Sequence, residues 1–303
     1  MGLGALLIVL AFLCAAILSA LGKLATHAST GTIVFFQNSV SLLLFLPWLL
    51  WDGWVELKTS HLLMHVVRAL TGLMSQVLMF VALKKMPLMN AVLLSNSAPL
   101  FIPLVAWIWL KEKIGVMTWL SLLIGFAGIV LILKPGRSLL ENPAAVLATA
   151  AAVCSAIALV SVNVLSRSDS ARRILFYYFL ISTLAAAPFL SPGWQTPTAR
   201  DWACLMGIGA FMAACQLLII LAYHHAKPER IAPFNYSVVI FSGLIGWIIW
   251  KDTPGPLALA GVALVSVGGI LSTVFGGPNS RGHFLWIGHW NLPFLKRISQ
   301  EIA

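Results

Sequence analysis

Residues in the first half of this chain recur in the second half at a constant offset of 140 positions. Gln76 returns as Gln216, Phe101 as Phe241, Trp107-Ile108 as Trp247-Ile248, and Lys111 as Lys251. Gly115, Gly128 and Gly136 return as Gly255, Gly268 and Gly276. Between 82–136 and 222–276 the register holds without a gap at roughly one identity in five. Shared Trp, Gln, Lys and Gly carry most of that signal, because apolar sequences share Leu and Ala by chance. A duplicated unit must pack against its own copy, so the number of elements per unit decides whether the two copies run alike or inverted.

The units read as apolar helices. A helix crossing about 30 Å of hydrocarbon needs about 20 apolar residues. Such stretches fall at 2–24, 31–51, 62–83, 87–110, 116–134, 143–166, 173–190, 202–223, 230–250 and 256–275, separated by polar runs such as Lys84-Lys85 and Lys251-Asp252-Thr253-Pro254. The chain is 60% hydrophobic and 9% charged, against about 25% charged residues in a soluble domain. The pattern predicts an all-α polytopic membrane protein with ten transmembrane helices. Five per repeat is an odd number, so the second repeat (143–277) is expected inverted relative to the first (1–137), about a pseudo-two-fold axis in the membrane plane. Residues 278–303 form a cytoplasmic tail in which Phe284, Trp286 and Trp290 stand beside Arg281, Lys296 and Arg297, a composition suited to the bilayer interface, with a partly disordered tail as the alternative.

The net charge is +10, but the basic residues sit singly or in pairs between apolar runs, with no stripe for a phosphate backbone to follow. Nucleic acid is therefore not an expected partner. The charge reads as a topology signal: with both termini inside, inner segments hold 12 of the 19 Lys and Arg, which favours cytoplasmic termini in an inner or plasma membrane. The first stretch lacks a positive n-region and reads as a retained helix rather than a cleaved signal. The four cysteines all fall in apolar runs without CxxC spacing, so neither a disulfide framework nor a metal site is expected. No cofactor motif appears.

Polar groups in hydrocarbon are tolerated where they face a partner or a water-filled cavity, so their positions are the best pointers to a solute pathway. In the fourth stretch Asn96 lies between two serines just before Pro99; at the matching place in the ninth, Asn235 and Tyr236 follow Pro233. Proline removes a backbone hydrogen bond and opens a helix, which fits a site at the repeat interface. Gln76 and Gln216 form a second symmetric pair. Gln37 and Asn38 correspond to Tyr177 and Tyr178, and Lys23 to Asn163. The candidate solute-binding set is Gln76, Asn96, Gln216, Asn235, Tyr236, Lys23, Gln37, Asn38, Tyr178 and Asn163. Packing between helices is the alternative role for the amides, and snorkelling to the interface for Lys23.

Several strings resemble the EamA group of the drug/metabolite transporter superfamily, close to its S-adenosylmethionine-carrier-like and metabolite-exporter members. They are Val34-Phe35-Phe36-Gln37-Asn38 through Leu46-Pro47-Trp48, Arg68-Ala69-Leu70, Met86-Pro87, Ala98-Pro99-Leu100, Lys111-Glu112-Lys113 and Gly125-Phe126-Ala127-Gly128. The resemblance implies ten helices in two inverted repeats, cytoplasmic termini and transport of a small metabolite; a homodimer stays open. The family usually has Arg where Gln37 stands, so no anion-binding role carries over to that position. The resemblance also places a Lys at Lys23 in carrier-like members, which points to amino-acid-like or nucleoside-linked solutes such as S-adenosylmethionine. A polytopic enzyme acting on lipid would need clustered catalytic His, Asp or Glu, and the sequence shows none. A non-transporting membrane subunit is the remaining alternative.

Overall fold

The computed structural model describes residues 3–49, 58–111, 115–133, 143–166, 168–190, 196–225, 232–253 and 255–275. The tail at 278–303 and the polar runs at 50–57 and 134–142 lie outside them. Among the described residues every regular element is helical. They are α1 (Leu3–Leu24), α2 (Thr30–Leu49), α3 (Leu62–Leu83), α4 (Leu88–Ser95), α5 (Ala98–Leu110), α6 (Val116–Leu133), α7 (Pro143–Leu165), α8 (Ala171–Ala186), α9 (Ala199–His225), α10 (Ser237–Trp250) and α11 (Pro256–Phe275). Short 3₁₀ turns extend α8 over Ala187–Leu190 and lead into α10 over Ala232–Tyr236.

Among the described residues seven spans are long and apolar enough to cross a bilayer, counting α4 and α5 together as Leu88–Trp109. Shorter apolar helices occupy Val116–Leu131, Phe234–Trp250 and Pro256–Leu271. Large apolar side chains such as Leu63, Ile108, Val116 and Leu123 lie exposed on the outside of the bundle. In water such a surface would aggregate; in a bilayer it is the lipid-facing surface, since helices satisfy their own backbone polar groups.

The fourth stretch is not one helix. α4 stops at Ser95, and α5 begins at Ala98 with proline in its first turn. Pro99 has no N–H to give, and at the joint Asn96 (φ −90°, ψ 9°) and Ser97 (φ −78°, ψ 10°) leave helical geometry. The corresponding ninth stretch departs in the same place, as the 3₁₀ turn ending at Tyr236. The eighth stretch runs longer than its apolar core: α9 starts at Ala199, where Asp201 accepts from the Thr198 hydroxyl (2.7 Å) and backbone N–H (3.2 Å) and ties the helix start.

Helix neighbours map onto themselves when the halves are exchanged. α1 packs on α9 and α7 on α3; α2 packs on α9 and α8 on α3; α1 packs on α10 while α7 packs on α4 and α5. α6 with α11 and α2 with α8 pair each element with its own counterpart, and α4 of the fourth stretch packs on α10 of the ninth, the counterpart stretch. At the α6–α11 crossing the relation holds residue by residue. A Cβ on Gly128 would meet Val265 N and Gly261 O; one on Gly268 would meet Gly125 Cα and Ser121 O. Each of those partners is the other's copy at the 140 offset, which is how a two-fold contact works. Close approach of backbones without side chains is the favoured way for helices to associate in lipid.

The C-caps match too. Lys111 and Lys251 both adopt left-handed backbone, φ 57° and 58°, and their N–H groups close the last turns of α5 and α10 on the Ala106 and Gly246 carbonyls. A non-glycine residue at this cap is strained, and the strain recurs at the same repeat position. The α3–α7 contact rests on small residues: Ala144, Ala145, Ala148, Ala151 and Ala152 are buried along α7, and Ser75 of α3 donates to the Ala151 carbonyl at 2.8 Å.

Candidate functional site

Polar side chains collect where α2, α3 and α8 meet. Asn38 is fully buried, and its Nδ2 donates to Gln76 Oε1 (2.9 Å) and to the Val34 carbonyl (2.8 Å). Gln76 Nε2 donates to the Tyr178 hydroxyl at 2.6 Å. Asn38 and Tyr178 are counterparts at the repeat offset, so this relay runs from one repeat to the other through Gln76. The Arg68 guanidinium lies over the Tyr178 ring, 4.2 Å from its centroid. Asn38 Oδ1, Gln37 Oε1 and Arg68 Nε are buried without a hydrogen-bond partner among the described residues. Buried polar atoms are almost always paired, and these three belong to the relay residue Asn38, its chain neighbour Gln37, and the Arg68 that lies against Tyr178.

The other candidates fall elsewhere. Asn96 turns its Nδ2 back to the Val92 carbonyl (2.8 Å) and closes its own helix end. Asn235 Oδ1 and the Tyr236 hydroxyl are buried and unpartnered, with the Tyr236 ring and hydroxyl pressed against Gly269 of α11. No side-chain hydrogen bond joins that pair to the relay, and none engages Gln216 or Asn163 among the described residues. Lys23 is held at the far end of α1. Its Nζ donates to the Met86 carbonyl (3.0 Å), lies 3.4 Å from Asp252 Oδ2, and stands over the Trp250 ring at 4.8 Å. It neither snorkels freely nor reaches the relay; it ties α1 of the first repeat to the end of α10 in the second.

The opposite end of the bundle carries a second tie. Asp169, in the loop between α7 and α8, bonds His65 Nε2 (2.7 Å), Arg173 Nη1 (2.7 Å) and the Thr59 hydroxyl (2.8 Å). His65 and Thr59 belong to the first repeat and Asp169 to the second. Both ties therefore bridge the repeats, one near the start of α3 and one beyond its end, about 33 Å apart along a 22-residue helix. Asp169 lies in a loop, yet it is only 7% exposed. Arg68, which the sequence offers only within the string Arg68-Ala69-Leu70, is absent from the candidate set. Its signal was a basic residue more than a helical turn inside an apolar stretch. Among the described residues no cluster of three His, Cys, Asp or Glu could hold a metal.

Burial pulls the Asp169 carboxyl up, and hydrogen bonds from Thr59, Arg173 and His65 outweigh that, holding it below the usual carboxylate range. A depressed carboxyl contributes stability above its unfolded value, about 3.9, and loses it as pH falls through the folded value. The thermal midpoint of the purified protein should thus owe nothing to pH through Asp169 between about pH 5 and 8, and decline below about pH 4. Asp169→Asn should lower the midpoint at pH 7, by about 3 kcal/mol of stability, since it strips a buried charge partner from Arg173 and His65. It should also flatten the acid decline. An unchanged midpoint at pH 7 would show that the tie contributes nothing.

The family model of the EamA-like transporter family matches residues 2–134 and again residues 142–274. The chain belongs to the EamA-like transporter family. This EamA protein is 30% identical to a pseudopaline exporter of Pseudomonas aeruginosa over 87% of its own length and 93% of the relative's. It is 28% identical to a riboflavin transporter of Vibrio cholerae (80% and 81% covered) and 26% identical to an S-adenosylmethionine uptake transporter of Rickettsia bellii (80% and 83%). A solved crystal structure shares the fold, with a TM-score of 0.61 at 19% identity over 89% of this chain and 97% of that one. The family and the apolar helices make this EamA protein a multi-pass membrane protein of the drug/metabolite transporter type, and its named relatives are transporters rather than enzymes.

Proposed function

We propose that this EamA protein is a secondary transporter that moves a small polar metabolite across the inner or plasma membrane by alternating access. The observation that carries the reading is the relay Asn38–Gln76–Tyr178, a chain of neutral hydrogen-bonding groups spanning the two repeats inside an otherwise apolar bundle. Neutral donors and acceptors at a repeat interface suit a polar organic solute better than a bare ion. In this reading the ten stretches are ten spans, the five-helix repeats are inverted, and both termini are cytoplasmic. The relay is the central site, and Asn235 and Tyr236 at the helix break face the same pathway. The two end ties act as gates: Lys23–Asp252 parts when the outer side opens, His65–Asp169 when the inner side opens. The names of the relatives, with the features of this chain, favour an amino-acid-like or nucleoside-linked solute such as S-adenosylmethionine.

The test compares uptake and efflux of the whole small-metabolite pool in cells expressing the protein and in cells carrying an empty vector. One or a few related polar metabolites should shift by several-fold between cell and medium. A protein abundant in the membrane that shifts no metabolite would overturn the transport reading and leave a non-transporting subunit as the better one.

A further inference from the structure

Arg68 sits six residues into α3, about 9 Å from the helix start. A basic side chain so placed normally reaches back to the nearer interface, and helical side chains lean toward the N-terminus in any case. Arg68 does the opposite. Its Nη1 lies 2.6 Å from where a Cβ on Gly72, one turn deeper, would stand, and the Tyr178 ring lies 2.9 Å from the same point. Glycine at position 72 makes room for the guanidinium, and Tyr178 supplies a ring face beneath it at 4.2 Å. The charge is thereby aimed along α3 toward Gln76.

Among the described residues no carboxylate answers it. Among the described residues Asp169 is engaged by His65, Arg173 and Thr59, Asp201 by Thr198, and Asp252 by Lys23. The Arg68 Nε is buried with no hydrogen-bond partner. Position 208, the counterpart of Arg68 in the second repeat, is Ile, so the cation is not a feature of the repeat as such. Arg68 as a whole is half-buried, and a charge whose Nε edge is desolvated without a partner is unfavourable and persists where an anion neutralises it for part of the working cycle.

Resting on the transport reading above, we propose that Arg68 is the residue that binds the carboxylate of the transported solute, and that the solute class is therefore monocarboxylates, including amino-acid-like zwitterions. The Nε edge of a guanidinium offers two parallel N–H groups that match a carboxylate. One positive charge balances one carboxylate, whereas a phosphate dianion would remain half uncompensated in the same low-dielectric site. The unpaired Asn38 Oδ1, at the other end of the relay, is an acceptor available to an ammonium or other donor on the same molecule.

Detergent-purified protein is tested by thermal shift against the proteinogenic amino acids, S-adenosylmethionine and short monocarboxylates, each beside its neutral carboxamide, with riboflavin as a carboxylate-free solute. At least one free acid should stabilise the wild type at about 10- to 100-fold lower concentration than its carboxamide. Arg68→Gln should erase that preference, and Arg68→Lys, which keeps the charge but not the planar fork, should retain part of it while eluting as a single species of wild-type size. The inference is overturned if acid and carboxamide bind alike, if Arg68→Gln keeps the preference, or if only carboxylate-free solutes bind. Flux through proteoliposomes separates it from the transport reading. An Arg68-dependent preference in binding without flux leaves the carboxylate site standing and removes transport; flux confined to carboxylate-free solutes does the reverse.

Discussion

Gly268→Val should keep the protein from accumulating in folded form, while Gly255→Ala should leave it unchanged. A Cβ at position 268 would stand 2.5 Å from the Gly125 Cα and N and 2.8 Å from the Ser121 carbonyl. These are backbone atoms, so no side-chain rotation relieves the overlap and α6 must move away from α11. Overpacking by a few methyl groups destabilises by about 1–3 kcal/mol where neighbours can shift, and more where they cannot. In lipid, close packing is itself the main attraction between helices, so the separation also forfeits the contact that joins the ends of the two repeats. A Cβ at Gly255 meets nothing within 4 Å, and its substitution should stay within about 0.5 kcal/mol. Yield of monodisperse protein and thermal midpoint measure both. A Gly268→Val protein as abundant and stable as wild type would mean that this crossing does not hold the halves together.

Gln76→Ala should reduce transport far more than it reduces the amount of protein in the membrane. The side chain links Asn38 to Tyr178 with two hydrogen bonds, and its loss leaves both ends of the relay misaligned for a solute. A hydrogen bond left unmade to a buried polar group costs about 1–3 kcal/mol, or roughly 5- to 150-fold in affinity. Initial rates of flux at low solute, divided by membrane abundance, should fall within or beyond that range. Gln216→Ala, at the matching repeat position but with no side-chain hydrogen bond among the described residues, provides the comparison. If both variants transport equally well, or if Gln76→Ala is simply missing from the membrane, the relay is a packing device.

The helical class, the membrane setting and the duplication were all legible in the sequence, because each depends on local or periodic properties. Apolar stretches of about 20 residues leave a backbone little choice but helix in hydrocarbon. Pro99 removes an N–H wherever it stands, so the interruption at Asn96–Ser97 could be anticipated. The recurrence of Gly128 as Gly268 and of Lys111 as Lys251 pointed to equivalent places, which proved to be a shared crossing and a shared left-handed cap.

Partnerships between side chains could not be read the same way, since distance along the chain does not report distance in space. The repeat offset paired Gln76 with Gln216 as equals, yet only Gln76 lies between Asn38 and Tyr178; the two-fold relation of the backbone does not extend to these side chains. Lys23 looked like a cation free for a solute until folding set it beside Asp252, 229 positions away. Asp169 meets His65, 104 positions back, only through folding. Arg68 lies beside Gly72 and over the Tyr178 ring only because the bundle brings α3 and α8 together. The sequence alone determined which elements form and that they form twice. The tertiary structure decided which polar groups meet, because a hydrogen bond or ion pair exists only when packing brings donor and acceptor within about 3 Å of each other.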